Sequence, residues 1–137
     1  MNRLGLAVGQ KARRSKTVTA RDVELYAEIT GDRNPLHFDP AFAAGTRFGR
    51  LVAQGGITSG MLNALVAMDL PGPGTVFMSQ SLKYLAPTYL GDTLTAEVEV
   101  LSVKPDKPVC QLKATVTNQD GTVVLEGECW TYTMRPA

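Results

Sequence analysis

Residues 55–70 read GGITSGMLNALVAMDL and carry the strongest helical pattern in the chain. Apolar side chains recur there at Ile57, Met61, Leu62, Leu65, Val66 and Met68. A helix that is apolar nearly all round is normally buried on all sides. The run Pro71-Gly72-Pro73-Gly74 then stops it. We therefore predict one long buried helix over residues 55–70, with the rest of the chain arranged around it.

The sequence after this helix is typical of β-strands, because apolar residues recur at every second position from Thr75 onward. This period predicts four consecutive antiparallel strands, over residues 77–84, 94–100, 110–116 and 123–134. Between the last two strands, the sequence NQDG at residues 118–121 predicts a hairpin turn.

The sequence before the helix predicts an opening strand over residues 5–18 and a helix that follows Thr19 as its cap. Residues 31–55 are rich in turn-forming residues and predict an irregular excursion. The resulting order is a strand, helices, one buried helix and four antiparallel strands. It describes the α+β hotdog fold, in which an antiparallel sheet wraps around one long helix. We expect a single such domain over residues 1–137.

The composition is that of an ordinary globular protein, with 44% hydrophobic and 20% charged residues. Its net charge of +1 gives no reason to expect a nucleic-acid partner. Four basic residues cluster near the N-terminus and are interpreted as a solvated strand face, with a contact to nucleotide phosphates as the lesser alternative: Lys11, Arg13, Arg14 and Lys16.

Two observations bear on where the protein works. No apolar leader follows Met1, and the apolar run over residues 61–70 is too short to cross a bilayer. Cys110 and Cys129 fall on strand patterns and are expected to be buried free thiols in a reducing compartment. We therefore expect a cytoplasmic protein that does not contact a membrane.

Residues 30–39 read TGDRNPLHFD and hold the one histidine of the chain, His37, five positions after Asp32. Histidine is the side chain that takes and returns a proton most readily near neutral pH. Any acid–base chemistry that uses imidazole must therefore use His37. In the same run, Asp39 is expected to cap a short helix that starts at Pro40. Arg33 is interpreted as a surface residue or a contact to substrate phosphates.

The run GDRNPLH at residues 31–37 resembles the signature of the MaoC-like, (R)-specific enoyl-CoA hydratases. The order of elements is similar to theirs over nearly the whole chain. This resemblance implies hydration of trans-2-enoyl-CoA to (R)-3-hydroxyacyl-CoA, and the reverse dehydration, with Asp32 and His37 as the catalytic residues. It also implies Gly55 as the donor to the thioester oxygen. Many members carry His-Gly at this point, whereas this chain has Gln54-Gly55.

The chemistry explains why such residues are needed. Hydration requires a base to activate water, an acid to protonate C2, and stabilisation of the charge on the thioester oxygen. Asp32 and His37 suit the first two roles by sharing one water, without a division of roles between them. Backbone N–H groups of Gly55 and Gly56, helped by the helix dipole, suit the third.

Three further polar residues are candidates for the site. Ser59 and Asn63 lie one and two turns into the predicted helix and are expected to line the acyl pocket. Asn34 is expected to supply the turn before Pro35, with orientation of Asp32 as the alternative.

The resemblance also implies a homodimer, or a dimer of such dimers, in which sheets meet edge to edge and the acyl tunnel follows the interface. The substrate would be a thioester of coenzyme A or of acyl carrier protein, and no metal or redox cofactor is expected. Two other functions remain open at this point. They are a hotdog acyl-CoA thioesterase and a non-catalytic acyl-CoA binding module.

Overall fold

The elements follow one another in the order that the sequence predicts. The computed structural model describes residues 2–136, in which the helices are α1 (Ala20–Thr30), α2 (Pro35–Phe38), α3 (Pro40–Ala44) and α4 (Gly55–Met68). The strands are β1 (Lys11–Thr17), β2 (Thr75–Tyr84), β3 (Thr93–Val103), β4 (Val109–Thr117) and β5 (Val123–Thr133). None of the helices within residues 2–136 is long and apolar enough to span a bilayer.

The strands form a single antiparallel sheet with the order β1-β3-β4-β5-β2. Strands β2 and β3 are consecutive in the chain but do not pair, since β2 pairs with β5. This leaves β1 and β2 at opposite edges of the sheet. Helix α4 packs against the sheet and contacts β3 more extensively than any other strand, which is the arrangement of the predicted hotdog fold.

The core lies between α4 and the sheet. The alternation predicted for β3 is confirmed, because Leu94, Ala96, Val98 and Val100 are each 0% exposed. These side chains belong to one apolar cluster with the buried face of α4, which consists of Met61, Leu62, Leu65 and Val66. Full burial of a leucine or valine side chain stabilises a fold by about 1.5–3 kcal/mol. This contact therefore holds α4 in place.

Helix α1 begins and ends as predicted. The Thr19 hydroxyl accepts a hydrogen bond from the Asp22 N–H at 3.2 Å, and the Asp22 carboxylate accepts one from the Thr19 N–H at 2.9 Å. This reciprocal capping box fixes the start of the helix. Gly31 ends it with a φ of 81°, which glycine adopts without steric strain. The segment that contains Asp32 and His37 thus begins where α1 ends.

The N-terminal boundary of β1 is wrong in the sequence prediction, because the strand begins at Lys11 rather than at residue 5. The Asn2 side-chain oxygen accepts hydrogen bonds from the Leu4 and Leu6 N–H groups, at 3.1 and 3.2 Å. Gly9 then turns the chain with a φ of 90°. Residues 2–10 consequently form turns instead of extending the strand.

The prediction that α4 is buried on all sides is wrong for the single chain. Asn63 and Met68 are exposed, and Ser59 and Gly60 are half-buried. The sheet covers one face of the helix only, and the neighbouring strand β2 lies at its edge. We call the exposed side chains of this region the β2 patch, defined as Val76, Met78, Tyr84 and Leu85. An apolar helix therefore borders an exposed apolar sheet edge.

The basic residues of β1 are ion-paired. Salt bridges join Lys11 to Glu99, Arg13 to Glu97, Arg14 to Asp69 and Lys16 to Asp22. The hydrogen bond from Arg14 lowers the pKa of Asp69 below its ordinary value. Since these cations already have carboxylate partners, the interpretation of a solvated strand face is favoured over phosphate binding.

The two cysteines are free and buried, as predicted. Burial raises the pKa of Cys110 to about 11 and that of Cys129 to about 12. Thiols react as thiolates, so both side chains are inert near neutral pH.

Candidate active site

Local capping positions the motif segment. The Asn34 side chain accepts a hydrogen bond from the Leu36 N–H at 3.1 Å and so caps α2. The Asp39 side chain accepts from the Ala41 and Phe42 N–H groups, both at 3.1 Å, and caps α3 as predicted. Because of these caps, the segment forms two short helices, α2 and α3. They turn His37 inward, where it is 9% exposed.

His37 is held by the main chain. Its Nδ1 lies 2.7 Å from the Val52 carbonyl oxygen. A carbonyl oxygen can only accept, so Nδ1 carries a proton and donates it. In the neutral ring Nε2 is then unprotonated and is an acceptor. The fold thus fixes both the tautomer and the direction of the reactive nitrogen.

Asp32 faces that nitrogen. Its Oδ1 lies 3.7 Å from His37 Nε2, a separation longer than a direct hydrogen bond. The same oxygen accepts a hydrogen bond from the Asn34 N–H at 3.2 Å. The Asp32 side chain is 40% exposed, whereas that of His37 is 9% exposed. One carboxylate and one imidazole therefore meet at the boundary between solvent and the interior.

The start of α4 lies beside them and requires two glycines. A Cβ on Gly56 would lie 1.8 Å from the Tyr26 hydroxyl oxygen, and one on Gly55 would lie 2.9 Å from a Tyr84 ring carbon. Within the described residues, no side chain caps this helix start by a hydrogen bond. Its first N–H groups are unsatisfied within the helix and carry the positive end of the helix dipole.

Gln54 precedes the helix and points inward, with an exposure of 1%. Its Nε2 donates to the Val23 carbonyl at 3.0 Å and, at 3.5 Å, to the carbonyl of Asp32. Among residues 2–136 its Oε1 has no donor. The Gln54 side chain thus ties α1 and the Asp32 backbone to the start of α4.

A cavity of about 320 Å³ opens between these elements. His37 and Gly55 both line it, and so bring the imidazole and the helix start to one space. Its apolar wall consists of Leu36, Phe48, Val52, Ala53, Leu85, Ala86, Pro87 and Val124. The remaining lining residues are Arg47, Thr58, Tyr84 and Thr88. An apolar chamber with few polar groups is typical of a small-molecule site.

The other predicted site residues lie around this cavity without lining it. The Asn34 side-chain oxygen accepts the hydrogen bond that caps α2, and the Asn34 backbone N–H donates to Asp32 Oδ1. Asn63 lies on the exposed face of α4 and accepts a hydrogen bond from Gln80 of β2 at 3.4 Å. The Ser59 hydroxyl donates to the Gly56 carbonyl at 3.3 Å. In the single chain, Ser59 and Asn63 face the β2 side instead of the His37 cavity.

The structure adds polar residues that the sequence analysis missed. The hydroxyls of Thr58 and Thr88 lie 3.3 Å apart, and both side chains are buried at the cavity. The sequence does carry a signal for Thr58, because its hydroxyl falls on the apolar side of the helical pattern. Thr88 and Arg47 had no such signal. Among residues 2–136, no three His, Cys, Asp or Glu side chains are grouped closely enough to hold a metal ion.

Comparisons with known proteins show which family this chain is similar to. The family model described as "MaoC like domain" matches residues 5–124. An (R)-specific enoyl-CoA hydratase from Aeromonas caviae is 41% identical over 128 residues, which cover 93% of this chain and 96% of that protein. A 3-hydroxybutyryl-CoA dehydratase from Methylorubrum extorquens is 42% identical over 123 residues, covering 90% of this chain and 78% of that protein.

The fold agrees as well. A solved structure of the (R)-hydratase from A. caviae involved in PHA biosynthesis superimposes with a TM-score of 0.91 and 40% sequence identity. The superposition covers 95% of this chain and 98% of that chain. Similarity of sequence and of structure therefore extends across the strands, α4 and the motif segment alike.

Proposed function

Because the chain belongs to the MaoC-like domain family, whose curated relatives are hydro-lyases, we propose that it hydrates trans-2-enoyl-CoA to (R)-3-hydroxyacyl-CoA. It also catalyses the reverse dehydration. The observation that carries the proposal is the 3.7 Å separation of Asp32 Oδ1 and His37 Nε2 beside a cavity whose wall includes the start of α4.

The spacing suits one shared water. Two acceptors 3.7 Å apart can both accept hydrogen bonds from a single water molecule. During hydration the water oxygen bonds to C3 of the enoyl group, and one water proton passes to the Asp32–His37 pair. The resulting enolate then takes that proton back at C2. Delivery of both parts of water from one site explains addition to a single face of the double bond.

The start of α4 stabilises the charge on the thioester oxygen, which is the third requirement of the reaction. We assign the N–H groups of Gly55 and Gly56 to the thioester oxygen, where negative charge develops, because Gly55 lines the cavity and no side chain caps this helix start within the described residues. Such fixed donors in a water-poor site stabilise an enolate-like transition state by several kcal/mol in total. A side chain at Gly55 would collide with Tyr84 and one at Gly56 with Tyr26, so glycine at both positions lets the two rings pack against the start of α4.

We assign Ser59 and Asn63 to the acyl tunnel through a homodimer. The β2 patch and the adjoining face of α4 are exposed in the single chain. A second copy seated on this edge would cover both, remove an unpaired strand edge and extend the acyl path past Ser59 and Asn63. In such a dimer, Ser59 and Asn63 face the substrate instead of the solvent.

The remaining features of the proposal concern the protein as a whole. Residues 1–137 form one domain, and the substrate is a coenzyme A thioester. The acid–base and oxyanion groups are all supplied by the chain, so the reaction as proposed draws on no metal or organic cofactor. The buried free thiols favour a reducing compartment, which we take to be the cytoplasm.

The test follows the loss of enoyl-thioester absorbance with crotonyl-CoA, while a thiol reagent detects released coenzyme A. We expect the absorbance to fall without release of thiol. Asp32→Asn and His37→Ala should each lower kcat at least about a hundredfold, because each removes a proton acceptor. The matched control is Asp39→Asn, which keeps a good α3 cap in the same segment.

Three results would contradict this function or its mechanism. Release of coenzyme A at the rate of absorbance loss would make the protein a thioesterase. Full activity of correctly folded Asp32→Asn protein would remove the carboxylate from the mechanism. A tight complex with no turnover of any enoyl thioester would instead indicate a binding module.

A further inference from the structure

Two arginines lie on the loop that follows α3, and residues of this loop line the cavity. Arg47 is exposed and lines the cavity that holds His37. Arg50 is exposed three residues further on, with its guanidinium 3.9 Å from the centroid of the Tyr89 ring. Both cations therefore lie on one short segment at the mouth of the site.

These two arginines differ from three others, which lie on β1 and in the segment after α1. Arg13, Arg14 and Arg33 each make a salt bridge, with Glu97, Asp69 and Glu24 respectively. Within residues 2–136 neither Arg47 nor Arg50 has a carboxylate oxygen within 4.0 Å. Their charge is not neutralised by the chain, so it is available to an anionic ligand.

The loop that carries them is well anchored. The Tyr89 hydroxyl donates to the Phe48 carbonyl at 3.0 Å, between the two arginines in sequence. The Thr46 hydroxyl donates to the Ala43 carbonyl at 2.7 Å, and the Gly49 N–H donates to the Thr46 carbonyl at 3.1 Å. Stacking on Tyr89 also restricts the Arg50 side chain. Less conformational freedom is then lost when an anion binds.

We propose that Arg47 and Arg50 bind phosphates of the carrier to which the acyl thioester is attached. This inference rests on the proposed function, which puts the reacting carbons at Asp32 and His37. The carrier must then leave the cavity through its mouth. The guanidinium group matches phosphate oxygens with paired hydrogen bonds. Coenzyme A offers a diphosphate and a 3′-phosphate, whereas the phosphopantetheine of a carrier protein offers one phosphodiester.

The assignment replaces the sequence candidates for phosphate contact. Arg33 and the basic residues of β1 are satisfied by carboxylates. Arg47 and Arg50 drew no attention in the sequence, because no local pattern marks an arginine whose charge the fold leaves unpaired.

The experiment combines substitution with truncation of the substrate. Arg47→Gln and Arg50→Gln should each raise the KM for crotonyl-CoA roughly threefold to tenfold, with kcat little changed. Neither should alter the KM for crotonyl-pantetheine, which has no phosphate. Arg47→Lys and Arg50→Lys should retain most of the affinity because they keep the charge. Arg13→Gln, on β1, is the matched control and should behave as the unsubstituted protein.

A third substrate identifies the phosphate. Crotonyl-4′-phosphopantetheine carries the single phosphate that coenzyme A and carrier protein share. An effect as large as with crotonyl-CoA assigns the arginines to that phosphate, and an effect confined to crotonyl-CoA assigns them to the nucleotide phosphates. Equal increases in KM for crotonyl-pantetheine and crotonyl-CoA would overturn the proposal, since the arginines would then shape the cavity instead. An unchanged KM for crotonyl-CoA would also overturn it.

Failure of the proposed function can be told apart from failure of this inference. If the unsubstituted protein turns over no enoyl thioester, calorimetry with coenzyme A itself still tests the arginines. The Arg47→Gln/Arg50→Gln protein should then bind coenzyme A at least about tenfold more weakly than the Arg13→Gln protein. Equal affinities would overturn the phosphate assignment independently of catalysis.

Discussion

A single carbonyl oxygen fixes the tautomer of His37. Because Nδ1–H donates to the Val52 carbonyl, Nε2 is the nitrogen that can accept a proton in the neutral ring. The Asn34 N–H donates to Asp32 Oδ1 and helps to hold the carboxylate facing Nε2. Under the proposed function, the main chain orients the ring, and the carboxylate shares the attacking water with Nε2.

The contact between Gly56 and Tyr26 gives a prediction at the same scale. Gly56→Ala places a methyl group where the Tyr26 hydroxyl lies, 1.8 Å from its oxygen. The ring must move, so we expect a loss of about 1–3 kcal/mol in the free energy of unfolding, as for other overpacked sites. Activity should fall as well, since the ring abuts the start of α4. Chemical denaturation followed by fluorescence measures the first effect.

A double-mutant cycle separates this clash from the intrinsic effect of alanine. Tyr26→Leu shortens the side chain, so Gly56→Ala should be less destabilising in the Tyr26→Leu protein than in the original. The coupling should favour the double variant by about 0.5–3 kcal/mol. Additive losses would contradict the proposed contact.

At the scale of elements, periodicity predicted which segments form helices and strands better than it predicted which strands pair. The 3.6-residue and two-residue periods located α4 and the strands β2 to β5, and cap residues located α1. Periodicity does not report pairing partners, so no pattern in the sequence indicates that β2 pairs with β5 instead of β3. It also overestimated the burial of α4, because an apolar helix face looks the same whether its own sheet or another chain covers it.

The exposed β2 edge supports a prediction about assembly. Met78 is 59% exposed on this edge strand, and Met78→Lys would place a charge inside the proposed dimer contact. We expect dimer affinity to fall on the order of tenfold or more, with loss of activity at low protein concentration. Light scattering across a dilution series measures the change.

Val8→Lys is the matched control for that experiment. Val8 is also apolar and 71% exposed, but it lies in the N-terminal turns, where the neighbouring Gly9 bonds to Val100 of β3. It should leave assembly unchanged. A stable Met78→Lys dimer together with a dissociated Val8→Lys protein would move the interface to the opposite edge of the sheet.

At the scale of the whole molecule, the site was only partly accessible to sequence analysis. Asp32 and His37 share one short motif, so a local pattern sufficed to nominate them. The cavity is assembled from α2, the loop after α3, α4 and the segment after β2. Thr58, Thr88 and Arg47 come together only after the sheet has formed. Contacts between such distant segments leave no periodic trace.

Stability at alkaline pH depends on the buried thiols. Unfolded cysteine ionises near its ordinary pKa of 9.0, whereas the folded-state pKa values of Cys110 and Cys129 are about 11 and about 12. Above pH 9 the unfolded chain therefore loses protons that the folded chain keeps. The free energy of unfolding should fall as pH rises from about 9 to 11, by up to about 1.4 kcal/mol per pH unit for each thiol.

Denaturation curves between pH 7 and pH 11 measure this slope. The Cys110→Ala/Cys129→Ala protein should show a shallower decline, because it has no thiol to ionise. Identical slopes for the two proteins would assign the alkaline loss to other groups.

Val52 has two functions that different atoms perform. Its side chain forms part of the cavity wall, while its carbonyl oxygen sets the protonation pattern of His37. Every amino acid supplies that oxygen, so no codon change at position 52 deletes it. A substitution at position 52 can therefore widen or narrow the chamber while the hydrogen bond to Nδ1 is kept. Under the proposed function, the range of acyl groups and the proton transfer would then change independently at this position.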